Sequence, residues 1–478
     1  MYNDLKNRCT FGTAFMDTPS TIRHRMNATG IGFAGIAGAW WLPAVESFAL
    51  PAQVATDLEQ IAYAIFCLFD TVTTHYGTST GAAWGLNALL ENKVPDAIPR
   101  LTGEGRVLAV RPDFQLVRLT GAPARYQLVA TELEICPSAH GFAHAMQVGY
   151  GLRTDLVEQF AQLLAGRELI FAGTNAWSEF LFEQLAFCRA LAEIGAHGRV
   201  LYDLPVATIA EQVRNGKRWQ PPIFGIRSKP AGWQDDVWAR IQQADLQRFL
   251  WPSDTVWPAA VDNAVVFRFG YFDCFTKEKL AHFAQWQARG ATLLNPTHFI
   301  LDSKVIMAAL QLPAVRLHLA ETDHTLLPVL DKCIPETHLL TAAQADRLVY
   351  EQADWVLKFA GYDSGHQAWG GRSLQIGAQQ SAQAWQQILA RYLALPWPIV
   401  AQRAVPSAKV DLAYLDIEDN VHWLQDGTTR LRTFMLRPDR ITRPATTVLV
   451  GGSHITVSGG TMQVSESTDA VQAPVHFM

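Results

Sequence analysis

The sequence predicts an α+β fold with an α/β insertion. Three observations predict it: an apolar face at helical spacing near the start, two strand-like runs around residues 107–135, and repeated strand–helix–glycine passages in the middle third. Thr56-Asp-Leu-Glu59 has the spacing of a capping box. Leu58, Ile61, Ile65, Leu68, Phe69 and Val72 share one helical face, so residues 1–100 read as a mainly helical region. Val107 to Val117 and Gln127 to Ile135 then read as strands, with Gly121 and Pro123 between them, giving a hairpin or neighbouring strands within 101–150.

From Thr154 a helix runs to Ala165 and stops at Gly166. A strand at Leu169 to Ala172, a helix from Trp177 to Ile194, the stop Gly195 and a strand from Val200 to Tyr202 follow. A second such passage holds Val265 to Phe269, a helix from Thr276 to Arg289, Gly290 and a strand at Thr292 to Leu294. The two α/β passages argue for a separate domain over 151–297. The last part, 298–478, reads as α+β: a helical stretch near Ser303 to Leu310, a strand from Trp355 to Phe359, a glycine-containing loop, a helix from Ser381 to Leu393 and a strand from Ile399 to Ala404.

The composition narrows the function. The 478 residues are 49% hydrophobic and 17% charged, enough to bury a sizeable core, and the length suggests about three folding units. A net charge of −5 lacks the cationic field that neutralises nucleic-acid phosphates, so no nucleic-acid partner is expected. Cys9, Cys67, Cys136, Cys188, Cys274 and Cys333 are scattered and form no CxxC pair, which fits a reducing, cytoplasmic setting. The uncharged run Ala28 to Val45 carries four glycines and a proline and reads as a buried segment rather than a membrane span.

Residues suited to phosphate chemistry recur along the chain. Lys358 ends an apolar strand just before the loop Gly361 to Gly371, an arrangement suited to a polyphosphate or simply to a strand end and turn. Ile399 to Pro406 forms a strand entering a connection whose backbone could meet an adenine edge, or an ordinary sheet strand. Glu132 and Glu134, two apart on one strand, share a face and repel each other unless a cation lies between them; Mg²⁺ suits such hard oxygens, and a solvated strand face is the plain alternative. Asn175, Trp177, Ser178 and Glu179 at a strand-to-helix junction, with Arg268 and Asp273 by another, are placed for a substrate, or for helix capping and ion pairing. His140 and His144 read as packing residues. Gly451-Gly-Ser-His454, with Gly459-Gly460, reads as a phosphate cradle or, set between short strands, as a hairpin or mobile loop.

Taken together, the chain resembles the circularly permuted ATP-grasp family, and among its members the synthetase domain of glutathionylspermidine synthetase. The resemblance is carried by Ala39-Trp-Trp41, Arg111-Pro-Asp113-Phe, Glu132-Leu-Glu134, Asn295-Pro296 with Asp302-Ser-Lys304, Val356-Leu-Lys358 with its loop, and Ile399-Val-Ala-Gln402 to Pro406. Glu134 stands where an amide is usual, and Phe359 where a proline is usual after the loop lysine.

The resemblance implies an ATP-dependent ligase joining a small-molecule carboxylate to an amine through an acyl phosphate, with release of ADP. It implies Asp113, Glu132 and Glu134 as Mg²⁺ ligands, and Arg111 on phosphate or acyl phosphate. It further implies Lys304 and Lys358 on nucleotide phosphates, with Gly361, Ser364, Gly365, Gln402, Arg403 and Val405 around the nucleotide. A noncatalytic nucleotide-binding scaffold and a small-molecule kinase remain open alternatives.

Overall fold

The computed structural model describes residues 19–31, 41–91, 93–96, 98–120, 125–174, 180–202, 206–216, 237–251, 257–362, 374–416, 419–438, 447–459 and 470–478. Their strands, in chain order, are β1 (Trp41–Pro43), β2 (Phe48–Leu50), β3 (Ala109–Leu119), β4 (Arg125–Glu134), β5 (Glu168–Gly173), β6 (His197–Leu201), β7 (Ala264–Phe269) and β8 (Thr292–Leu293). They continue as β9 (Thr337–Leu339), β10 (Trp355–Phe359), β11 (Gln375–Ile376), β12 (Ile399–Arg403), β13 (Lys409–Leu415), β14 (Val421–Leu436), β15 (Leu449–Gly459) and β16 (Ala470–Phe477).

Three sheets result. The largest has eight strands in the order β1-β16-β15-β14-β3-β4, with β13 added to β14 and β2 to β16. Its pairings are antiparallel except where β1 and β2 run parallel to β16. A four-stranded antiparallel sheet has the order β11-β10-β12-β9. The third is fully parallel, β6-β5-β7-β8, with the helices Leu181–Glu193 and Lys277–Ala288 in its crossovers.

The expected elements hold where periodicity is strong. The helix Ala52–His75 buries Leu58, Ile61, Ile65, Leu68, Phe69 and Val72 against the helices Pro313–Thr322 and Leu326–Cys333 and against β15 and β16. It starts at Ala52, so Thr56 to Glu59 lies inside it and not at its cap. The helix expected from Trp177 is seen as Leu181–Glu193, with Asn175 to Glu179 outside the described residues. Of the run from Ala28 to Val45, residues 32–40 also fall outside them; among the described residues no helix is long and apolar enough to cross a membrane.

Two short strands were hidden in the region expected to be mainly helical, since β1 and β2 find their partner in β16, at the far end of the chain. The glycines at 451 and 452 form neither a cradle nor a hairpin turn. They sit inside β15, where the β14–β15 register shifts, with Gly452 at φ +63°. A side chain at Gly451 would fall 2.4 Å from the Gln159 amide, so glycine lets the helix Asp155–Leu164 lie close to the sheet.

The four-stranded sheet shows how period-2 alternation sorts its residues. Trp355, Leu357, Phe359, Ile399 and Ala401 pack with Trp385, Leu389 and Tyr392 of the helix Ala382–Leu393. Lys358 and Gln402 alternate with these and leave on the opposite face. That face turns toward β4 of the large sheet.

Candidate active site

The β3–β4 hairpin supplies the acidic side. Its register sets Arg111 opposite Glu134 and Asp113 opposite Glu132, with an irregularity just after Asp113. Asp113 is buried and engaged on both oxygens: Arg432 Nε donates to Oδ1 at 2.9 Å, and Arg430 donates to Oδ2 at 3.0 Å. Both arginines come from β14, paired to β3. The sequence signal that could have found them is the i, i+2 pair Arg430 and Arg432, which a strand sends to one face.

Glu132 meets Lys304, Nζ to Oε1, at 2.8 Å. Burial works to raise the Glu132 carboxyl, but Lys304, helped by Lys358, outweighs both burial and the repulsion of Asp113 and holds it below the usual range. Glu134 behaves oppositely: burial and then Glu132 raise its carboxyl, although Tyr271 donates to it at 2.7 Å and the Cys136 N–H at 2.9 Å.

Lys358 crosses from the four-stranded sheet to the large one. Its ammonium donates to the Thr131 carbonyl at 2.7 Å and to Gln402 Oε1 at 2.7 Å. Gln402, fixed by donation to Thr337 Oγ1 at 3.0 Å, thus orients the lysine instead of standing free. Enclosure of the ammonium lowers its pKa to about 7, with Glu132 opposing and Arg430 and Lys304 adding to the fall. Lys304 arrives from the turn between Asp302 and the short helix Val305–Ala309, a non-strand position. Glu132, Glu134, Tyr271, Lys304, Ile306 and Met307 line a recess beside this cluster.

The remaining expected residues divide. Arg111 donates to the Ser138 carbonyl at 2.6 Å, beside the helix His140–Gly149. The first amides of that helix are taken by the chain's own Glu183, which accepts from Ala139 N at 2.6 Å and Gly141 N at 3.0 Å. Gly361 closes the turn after β10, where a Cβ would fall 2.6 Å from the Phe359 ring and 2.8 Å from Trp397. Val405 lies half-buried in the connection after β12. Ser364 and Gly365 lie outside the described residues, as do Asn175, Trp177, Ser178 and Glu179.

Four expectations are corrected. The Arg403 side chain is on the helix face of β12, not the Lys358 face: it pairs with Glu336, Glu351 and Asp354 and lies 4.5 Å from the Trp355 ring centroid. Arg268 does not line a substrate pocket, since it is fully buried in an ion pair with Asp302. Asp273 is exposed on the turn beyond β7, apart from the recess lining. Asp113, saturated by two guanidiniums, does not fit a direct metal ligand.

Among the described residues no three His, Cys, Asp or Glu side chains are grouped to hold a metal ion. Glu132 and Glu134 fit a smaller role. Mg²⁺ commonly takes one or two carboxylates and completes its shell with phosphate and water, and Glu132 and Glu134 lie together on the recess lining, where Glu132 adds its repulsion to the burial that raises Glu134.

His140 is buried among Phe160, Phe171, Phe187, Phe267 and Phe434, a packing role as expected.

No protein-family model matches the chain, and no curated protein does. Among solved structures it is similar to a glutathione synthetase-like effector from Globodera pallida, at 11% identity and a TM-score of 0.52, over 97% of this chain and 98% of that one. A provisionally named gamma-glutamylcysteine synthetase from Methylobacillus flagellatus KT aligns over 81% of this chain and 84% of its own at 11% identity, with a TM-score of 0.37 that adds no support. By the first of these likenesses, the chain has a mixed α/β fold of the glutathione synthetase-like kind.

Proposed function

We propose that the protein is an ATP-dependent carboxylate–amine ligase on a circularly permuted ATP-grasp fold, releasing ADP and phosphate as it forms an amide. The observation that carries this reading is the Lys358 bridge: a lysine of one antiparallel sheet bonded to the strand of another, beside Glu132 and Lys304. Phosphoryl transfer needs charge neutralisation and alignment more than a protein nucleophile, and this cluster offers both.

In this reading Lys304 and Lys358 leave their present acceptors for the phosphates of ATP. Glu132 and Glu134 hold Mg²⁺, which when bound neutralises phosphate charge. Arg430 and Arg432, anchored on Asp113, keep the large sheet's side of the cleft cationic. A carboxylate oxygen of the acid attacks the γ-phosphorus and ADP leaves. The amine nitrogen then attacks the acyl carbon, phosphate departs, and the nitrogen gives up a proton. Enclosure between the sheets keeps water from the acyl phosphate.

The test is incubation with ATP, Mg²⁺ and a metabolite extract, followed by mass spectrometry for a product equal to acid plus amine minus water. ADP formation should require both substrates and be lost in Lys358→Ala. Release of AMP and pyrophosphate would refute the acyl-phosphate route.

A second reading, a nucleotide-binding scaffold without turnover, draws on the saturation of Asp113 and on Glu134 in place of an amide. It requires calorimetric ATP binding with no product across the extract. Release of a phosphorylated acid as sole product would instead indicate a kinase.

A further inference from the structure

Three consecutive residues, Asp302, Ser303 and Lys304, bond to three separate parts of the molecule. Asp302 accepts from Arg268 at 2.6 Å and 3.2 Å and from the Phe272 N–H at 2.7 Å. The Ser303 hydroxyl donates to the carbonyl of Ala360, two residues beyond Lys358. Lys304 reaches Glu132 on β4.

Arg268, at the end of β7, also donates to the Gly270 carbonyl at 2.6 Å, and its own backbone is clamped by Asn295, which accepts from its N–H at 2.9 Å and donates to its carbonyl at 2.7 Å. The 270–272 turn is therefore held from both sides, and Tyr271 within it is the residue that reaches Glu134.

Both members of the Arg268–Asp302 pair have 0% side-chain exposure. Removing two charges from water is costly, and well-packed apolar side chains often serve stability as well or better. What apolar side chains do not supply is direction: a guanidinium fork on a carboxylate fixes both distance and angle. Here the directed contact sits one residue from the Ser303 tie to the Lys358 turn and two from Lys304.

We propose that the buried Arg268–Asp302 ion pair is a positioning element that fixes the Ser303–Lys304 turn, and with it the placement of Lys304 and Lys358 against Glu132 and Thr131. What the two lysines hold rests on the ligase reading; their placement does not. Arg268 and Asp302 are positioning residues: Asp302 borders the recess with its carboxylate taken up by Arg268 and the Phe272 N–H, and acts on the lysines through the turn it holds.

The test is pulse acetylation of lysines with acetic anhydride, read by mass spectrometry, in the full chain and three variants. Asp302→Asn keeps the shape and removes the charge. The double variant Arg268→Met/Asp302→Leu replaces the pair with apolar side chains and leaves no unpaired charge. Ser303→Ala removes only a hydroxyl. In folded variants, acetylation of Lys304 and Lys358 should rise severalfold relative to exposed Lys277. ADP formation should fall about 10- to 100-fold, the cost of displacing catalytic groups by about an ångström.

A ratio equal to wild type in a folded pair variant overturns the proposal. So does failure of both pair variants to fold, which would make the pair a requirement of the fold and not of the site. If the wild type forms no ADP with any acid and amine, the ligase reading fails while the labelling still decides the positioning.

Discussion

Lys358 should take up a proton when ATP binds. Enclosure of its ammonium between the two sheets lowers its pKa to about 7 from the ordinary 10.5. The free protein at pH 8 then carries the proton on about one molecule in ten, and at pH 7 on about half. A triphosphate beside the ammonium favours the charged form and returns it toward its ordinary range. Binding at pH 8 should therefore draw in about 0.9 proton from this residue alone, and affinity should fall about tenfold per pH unit above 7.

The stability sign follows from the same shift. Between about pH 7 and 10.5 the unfolded chain holds more protons at this residue than the folded one, so its contribution to stability rises with pH across that window. Bound ATP, by returning the ammonium toward its ordinary range, removes this dependence. Titration calorimetry in buffers of different ionisation enthalpy reads the uptake directly, with Lys358→Met as the control that should lose both uptake and pH dependence. Equal uptake in wild type and variant, or none at pH 8, would refute the argument.

Glu132→Gln should weaken the Mg²⁺ dependence of ADP formation and cost about 1–3 kcal/mol in urea unfolding, because it leaves Lys304 without its charged partner. Arg403→Ala should leave ADP formation unchanged while lowering stability by about 1 kcal/mol, since its ion pairs and its place over Trp355 lie on the helix side of the sheet. Gly141→Ala should cost about 3 kcal/mol or more in thermal or urea unfolding, because its Cβ would fall 2.0 Å from the Glu183 carbonyl oxygen.

What was legible in the sequence was local. The helix Lys277–Ala288 is capped by Thr276, and Ala382–Leu393 by Ser381, each at the start expected from the pattern. Alternation in Trp355 to Phe359 gives both the strand and the face on which Lys358 leaves it. What was not legible depends on partners far along the chain. Asp113 reads as a metal ligand until β14 brings Arg430 and Arg432 beside it. Arg268 reads either as a substrate contact or as half of an ion pair until the 299–302 turn supplies Asp302. The resemblance puts Gln402 and Arg403 together around a nucleotide, yet a single step along a strand reverses the face.

The large sheet joins early and late parts of the chain. Trp41–Pro43 lies beside Ala470–Gln472, and Ala109–Phe114 beside Leu431–Leu436, so hundreds of residues separate neighbouring strands. During synthesis the sheet can gain its closing strand only after the ribosome has read through Phe477, whereas β5, β6, β7 and β8 with their crossover helices are complete by Leu293. The parallel sheet is thus free to form first, and the residues of β3 and β4 that bear the candidate acids wait for the last quarter of the chain to cover them.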